Sequence, residues 1–511
     1  MLLARRCSAL CSMAQPLRRP NLIRCLATVQ SATGRAAPIG GFPTSSAPSE
    51  FIITAENGFL PINDPIKKLP AEFEKLEDLL NRMPLTRTDT KQPGLLATGQ
   101  LGAAVENELP LYDVSNIQDP RLLHALFRDY TFLASAYLLE PCDIFYRKKQ
   151  DYGLGRSRLP KSIAVPMTQV AAKLHMKPFM EYATSYSLYN YKRVDPSKSL
   201  EYDNLALIRG FSGMPSEHGF ILVHVAMVAH SGSQVRHTLG ALNAIPSNDR
   251  TSFNEHLHKL NMTMSKINGE METMWLRSSP ADYTKFRTFI MGTKNQPMFP
   301  EGVVYEGVSE TPTFYRGESG ANDSIVPSLD NFLMVTENMP QNALTDILRD
   351  FRSYRPENHT MWLSWLESKA KEVNVKGYAL EDANSAVLYL SLLDQLRDFR
   401  ARHWNFTKTY ILKNTKHPIA TGGSPIVTWL PNQLGVVLRA MTEASSRVNM
   451  LKDQLTPRNR ELADELADRA ATQSRILARE VEELKTQYVA QDVAEMDWKK
   501  AQSSQQMSAS A

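Results

Sequence analysis

Between Gly219 and Ala229 the chain reads Gly-Phe-Ile-Leu-Val-His-Val-Ala-Met-Val-Ala, apolar on nearly every side once wound into a helix. Such a helix has no face for water and must be enclosed by other elements. The run is far short of the ~20 residues that span a bilayer, so the enclosure has to be protein. From Pro65 onward three-and-four spacing of apolar residues dominates and alternating β-branched runs are scarce, so the enclosing elements are helices too. The expected fold class is mainly α. Pro120, Pro160, Pro166, Pro196 and Pro215 punctuate the stretch from 120 to 215 and predict short helices joined by loops there. Beyond them the spacing predicts helices over 216–243, 248–275, 280–291, 327–353, 359–371, 379–412 and 431–451, with polar loops over 293–326 and 413–430. The expected division is a leader over 1–50, a smaller domain over 51–205, a larger helical domain over 206–450, and a tail over 451–511. In the tail, Thr456 and Pro457 make an N-cap and N1 pair. Leu462, Leu466, Leu477, Val481, Leu484 and Tyr488 then mark a long amphipathic helix whose repeat lapses between Leu466 and Leu477. It suits the protein's own surface better than a coiled-coil partner.

Charge separates the leader from the body. The 58 basic and 54 acidic groups sum to +4, which gives no reason to expect a nucleic-acid binder. Residues 1–49 hold six arginines and no lysine or acid, with Cys7, Cys11 and Cys25 among them, leaving a slightly acidic body with Cys142 as its one thiol. That composition fits a mitochondrial presequence and predicts a soluble matrix protein; an unaddressed tail on a cytoplasmic protein is the alternative. One body cysteine rules out an intrachain disulfide framework or a Cys-based zinc site there. Phosphate-loop, dinucleotide, zincin, nucleophile-elbow and c-type haem motifs are absent. His256 and His258 sit two apart and are expected to be solvated on different faces.

Three apolar stripes carry residues that need partners. Leu392, Leu396, Phe399, Phe406 and Tyr410 advance by threes and fours through His403. A buried imidazole needs a partner at each nitrogen, and a metal or haem iron serves as well as a carbonyl or hydroxyl. Arg400, one turn earlier, suits a haem propionate. Phe220 and His224 share a face of the apolar helix. Tyr283 and Arg287 share a face of the helix begun by Ser279 and Pro280, where the arginine needs an anion: a substrate carboxylate or a structural acid. Thr421-Gly422-Gly423-Ser424 is a loop whose glycines permit close approach to a ligand, or simply a mobile turn.

These residues stand among longer blocks: Leu159-Pro-Lys-Ser-Ile-Ala-Val-Pro166, Leu188-Tyr-Asn-Tyr191, Gly219-Phe-Ile-Leu-Val223, Val304-Tyr-Glu-Gly307, Tyr315-Arg-Gly-Glu-Ser-Gly-Ala321 with Pro327-Ser-Leu-Asp330, Arg400-x-x-His403 with Tyr410-Ile-Leu412, and Thr421-Gly-Gly-Ser424. In that order, from about Pro84 to about Met441, the chain resembles the indoleamine 2,3-dioxygenase family. The resemblance implies a small N-terminal domain over a large all-α domain holding haem b with one iron. It implies O2 insertion across the indole C2–C3 bond of L-tryptophan, or a related indoleamine, to give N-formyl-kynurenine, with an external electron donor keeping the iron ferrous. It implies roles as well. His403 is the proximal ligand and Arg400 the propionate contact. Phe220 and His224 belong to the distal, catalytic pocket, Arg287 takes the substrate carboxylate, and Tyr283 is its aromatic neighbour. Ser319, Gly320 and Ala321 form the small-residue wall, and Thr421 to Ser424 the closing loop.

The chain departs from the pattern. Mammalian members typically have serine at the position of His224, whereas the sister tryptophan 2,3-dioxygenases use a distal histidine. Fungal relatives often read Arg-Pro-Phe for Arg287-Thr-Phe289 and Gln-Ser-Ser for Asn322-Asp-Ser324, the latter change setting a carboxylate near the pocket wall. A haem-binding or sensor protein with little turnover, and a helical scaffold with a vestigial pocket, are the alternatives. The expected state is a monomer whose C-terminal helix could pair.

Overall fold

The computed structural model describes residues 42–335, 350–414 and 419–487. Nearly all of the leader therefore lies outside the described residues, as do most of the helix expected over 327–353, which is seen as Ile325–Phe332, and Tyr488. The described chain is mainly helical with two small sheets, and no described helix is long and apolar enough to cross a membrane.

The first long helix corrects the reading of 120–215. Helix α1 runs unbroken over Pro120–Lys149. Pro120 stands at N1 behind Asp119, whose side chain accepts from the Arg121 N–H at 3.1 Å. Pro141 inside the helix is tolerated because the carbonyl it leaves without a donor, that of Tyr137, accepts from the Arg156 guanidinium.

A second correction concerns 216–243. Two helices form there, α2 (Pro215–Val228) and α3 (Ser231–Ala244), with Ala229 and His230 as the joint. Ser231 Oγ donates to the Val228 carbonyl at 2.6 Å and accepts from the Phe59 N–H at 2.9 Å, which ties the joint to the N-terminal segment. Helix α4 (Arg250–Glu272) is capped by Asp249, and α5 (Pro280–Arg287) starts at Ser279. Ser279 has the extended backbone of an N-cap but no side-chain cap bond; Ser216 links to the turn instead, accepting from the Ser279 N–H and donating to Asp282. His256 is half-buried, its Nδ1 lying 3.1 Å from that of His237, while His258 is exposed.

Helix α6 (Ala383–Phe406), capped by Asp382, continues into a wider π turn over Thr407–Leu412. It packs against α4, α7 (Ile426–Met450) and α8 (Pro457–Gln487), and α4 also packs against α2. The lapse between Leu466 and Leu477 in α8 is filled by Ala470, 1% exposed, and by Gln473, which accepts from Arg397 of α6. Thr456 Oγ1 accepts from the Asn459 N–H, as an N-cap should.

Strands β1 (Arg158–Leu159), β4 (Val303–Tyr305) and β5 (Ser309–Thr313) form one sheet, with β1 parallel to β4 at Arg158↔Val304 and β5 antiparallel to β4; β2 (Tyr191–Arg193) and β3 (Leu205–Leu207) form the other. The segment expected as a polar loop over 293–326 thus contains a hairpin. Its return leads directly into residues 315–324.

Candidate active site

The site is assembled around α6 from segments far apart in sequence. Gly292 and Gly317 lie back to back: a Cβ on Gly317 would fall 2.2 Å from the Gly292 nitrogen, so only glycine lets these backbones touch. The Gly292 N–H donates to the Thr421 carbonyl at 3.0 Å, and Thr421 Oγ1 donates to the Glu318 carbonyl at 2.6 Å. Arg316 donates to the Gly422 carbonyl at 2.8 Å and pairs with Asp350. Gly423 takes φ +80° with the Lys294 carbonyl pressed against it, where a Cβ would fall 2.4 Å away. The 421–424 loop is buried and held at several points, with Thr421 and Ser424 facing inward.

Together these parts bound a cavity of about 1120 Å³ including its mouth, with a second lobe of about 580 Å³. Phe220, His224, Tyr283, Ser319, Gly320, Ala321, Thr421, Ser424 and His403 line the first. His403 also faces the second, with Arg400, Asp330, Phe399, Trp429 and Gln433. Gly422 and Gly423 shape the loop without lining the cavity. Arg287 does not line it either; it is 0% exposed, donating to the Tyr152 hydroxyl at 3.2 Å and to the Ile419 carbonyl at 2.7 Å, with Nε unpartnered. No acid pairs with it among the described residues, so the structural salt bridge weighed above is not found.

The two histidines are kept neutral. Burial, with Arg400 nearby, pushes His403 down to about 4, and burial with His403 nearby does the same to His224. The His403 ring makes no hydrogen bond to any described residue. His224 Nδ1 lies 3.2 Å from the Tyr182 hydroxyl, and its Nε2 makes no hydrogen bond to any described residue. The tyrosine belongs to a π turn, Tyr182–Tyr186, opened by Glu181; π turns recur at functional sites, and the second one here continues the His403 helix. Aromatic contacts join Phe220 to Tyr283 at 5.2 Å between ring centres, and Tyr283 to Tyr410 at 5.7 Å.

These residues fit a haem. A neutral imidazole, free of any partner among the described residues, is the donor that haem iron takes. No group of three or more His, Cys, Asp or Glu side chains that could hold a metal exists among the described residues. Arg400 is less free than expected: it pairs with Asp330 at 2.6 Å and donates to the Gln433 carbonyl at 3.0 Å. Asp330 keeps one oxygen unpartnered and is pushed up by burial.

Two acids complete the wall. Asp323, pushed up to about 6 by burial, accepts from the N–H groups of Ile325 and Val326, so its charge serves the next helix. Glu318 escapes a reading by residue type, because an acid within Arg-Gly-Glu-Ser-Gly resembles a solvated turn. Its burial comes from the contact of Gly292 with Gly317, and nothing local in the sequence announces that contact.

The family model for indoleamine 2,3-dioxygenase matches residues 47–453. The chain is 27% identical to indoleamine 2,3-dioxygenase 1 of Rattus norvegicus over 68% of its length and 82% of the relative's. It is 28% identical to indoleamine 2,3-dioxygenase of Saccharomyces cerevisiae over 65% of its length and 77% of the relative's. It is also 24% identical to a protein of Haliotis diversicolor named myoglobin, over 67% of its length and 86% of the relative's. The chain belongs to the indoleamine 2,3-dioxygenase family, whose enzymes are oxidoreductases that bind haem b with one iron.

Proposed function

We propose that this chain opens the indole C2–C3 bond of L-tryptophan to give N-formyl-L-kynurenine. The observation that carries the reading is His403, a neutral, unpartnered imidazole between the two lobes of a mostly apolar cavity. When bound, haem b supplies the dioxygen chemistry, and a reductant from outside the chain keeps its iron ferrous. The chain's own residues bind, orient and exclude water.

His403 would hold the haem, with Arg400 at its propionate edge exchanging some of its bond to Asp330. Phe220 and Tyr283 would form the aromatic wall against the indole, and Met227, Met271 and Met274 would keep water from that end. His224, neutral and oriented by Tyr182, would meet the indole N–H or dioxygen through Nε2. Ser319 to Ala321 would keep the wall thin, and the 421–424 loop would cover the amino-acid end. A buried guanidinium with no acid beside it and Nε free suits a carboxylate, which Arg287 would reach once Tyr283 or the Ile419 carbonyl gives way.

The test is turnover: haem-loaded protein with a reductant should form N-formyl-kynurenine from L-tryptophan. A haem protein without turnover is the second reading, suggested by the relative named myoglobin. It predicts a Soret band and no product.

A further inference from the structure

One acid in the cavity wall has no task in this reading. Glu318 is 3% exposed and lines the cavity, yet its carboxyl oxygens make no hydrogen bond or ion pair with any described residue. Its place is well fixed. Gly317 before it is locked against Gly292, Thr421 Oγ1 holds its carbonyl, and Ser319 after it caps the turn Gly320–Asn322. A side chain so enclosed, so firmly placed and so lacking in partners is unfavourable for stability unless a ligand completes it.

Its surroundings say which ligand. The turn at 181–186 brings Glu181, Tyr182 and Tyr186 near it, and α5 brings Tyr283. Tyr283, which lines the cavity with Glu318, feels both that acid and the buried Arg287 guanidinium behind the wall. Asp323, further along the same loop, is occupied in capping its helix. Burial, with Glu181 nearby, pushes Glu318 up to about 8, which favours the neutral acid at pH 7.

We propose that Glu318 receives the ammonium group of an indole amino acid, and that it makes the site select the zwitterion over indoles lacking an amine. The assignment rests on the function proposed above, since it presumes an indole in this cavity. When the ammonium docks, the carboxyl gives its proton to bulk water and remains as the carboxylate partner of the cation. Two ion pairs, one at each charge of the substrate, then replace one lone guanidinium and one neutral acid.

The experiment is calorimetric titration of the haem-loaded chain, without reductant so that nothing turns over, using L-tryptophan and indole-3-propionate as probes. Titrations at pH 7 in phosphate and in Tris report proton release. We expect wild type to bind L-tryptophan about tenfold tighter than indole-3-propionate and to release about one proton with it. Glu318→Gln should bind the two probes within about threefold and release none. Equal binding of the probes by wild type, absence of proton release, or a Glu318→Gln protein that keeps both effects overturns the assignment. The wild-type titrations need no variant, so a poorly folding Glu318→Gln would not leave the question open. Wild type binding neither probe would instead sink the proposed function, and this assignment with it.

Discussion

At the scale of single residues the site depends on imidazoles that burial keeps uncharged. His224 is held at Nδ1 by Tyr182 and stays neutral across the physiological range, so its contribution should be a hydrogen bond and not a charge. His224→Ala should raise KM for L-tryptophan by about tenfold, the worth of one buried hydrogen bond. Steady-state kinetics at pH 6 and 8 should show the same factor at both, and an unchanged KM would remove His224 from the substrate's partners. His403, His224, Phe220 and Tyr283 were legible as candidates because each stands on an apolar stripe of recognisable period. Glu318 was not, because its burial is made by a contact between two glycines. The setting of Arg287 was half legible: the sequence shows a cation on an aromatic face, but only the fold shows that no described acid pairs with it.

At the scale of elements, α8 lies beyond residue 453, where the family match ends, and packs against the helix that carries His403. Glu480 of α8 accepts from Trp404 Nε1 at 2.8 Å and pairs with Lys408 at 2.7 Å, gripping the last turn of α6 on either side of its passage into the π turn. The Lys408 pair is partly exposed and adds little alone, whereas the indole of Trp404 is buried. Glu480→Ala should lower stability by about 1–2 kcal/mol and weaken haem retention, checked by thermal melts and by transfer of haem to an apo-globin acceptor. Loss rates equal to wild type would confine α8 to a covering role. The helix itself was readable from its cap and leucines. Its apparent gap was misleading because Ala470, too small to count as an apolar signal, fills the close contact. The joint at Ala229 and His230 and the length of α1 were not readable, since both depend on bonds from distant residues, Phe59 in one case and Arg156 in the other.

At the scale of the whole molecule, helical periodicity predicts the class of fold, and the cavity comes from the way α2, α5, α6, the 315–324 loop and the 421–424 loop meet. The β4–β5 hairpin that delivers the 315–324 loop went unread, its short strands being hidden in a polar stretch. The fold also encloses histidines remote from the cavity. His359, packed between Phe51 and Phe59, is pushed down to about 3 by burial. An unfolded histidine takes its proton near pH 6.5 while the folded one refuses it. Its contribution is therefore present above 6.5 and lost as pH falls toward 3, at up to about 1.4 kcal/mol per pH unit. The stability advantage of wild type over His359→Gln should narrow between pH 7 and pH 5 in denaturant titrations, and a constant gap would show that the ring accepts a proton in place.

If His403 holds a haem in this cavity for indole oxidation, a cavity variant with added imidazole will reveal it. His403→Gly should fold, lose haem-dependent formation of N-formyl-kynurenine from L-tryptophan, and recover part of it when free imidazole is supplied to fill the space left by the ring. A His403→Gly protein that binds haem and turns over L-tryptophan at the wild-type rate without imidazole would show that another residue holds the haem.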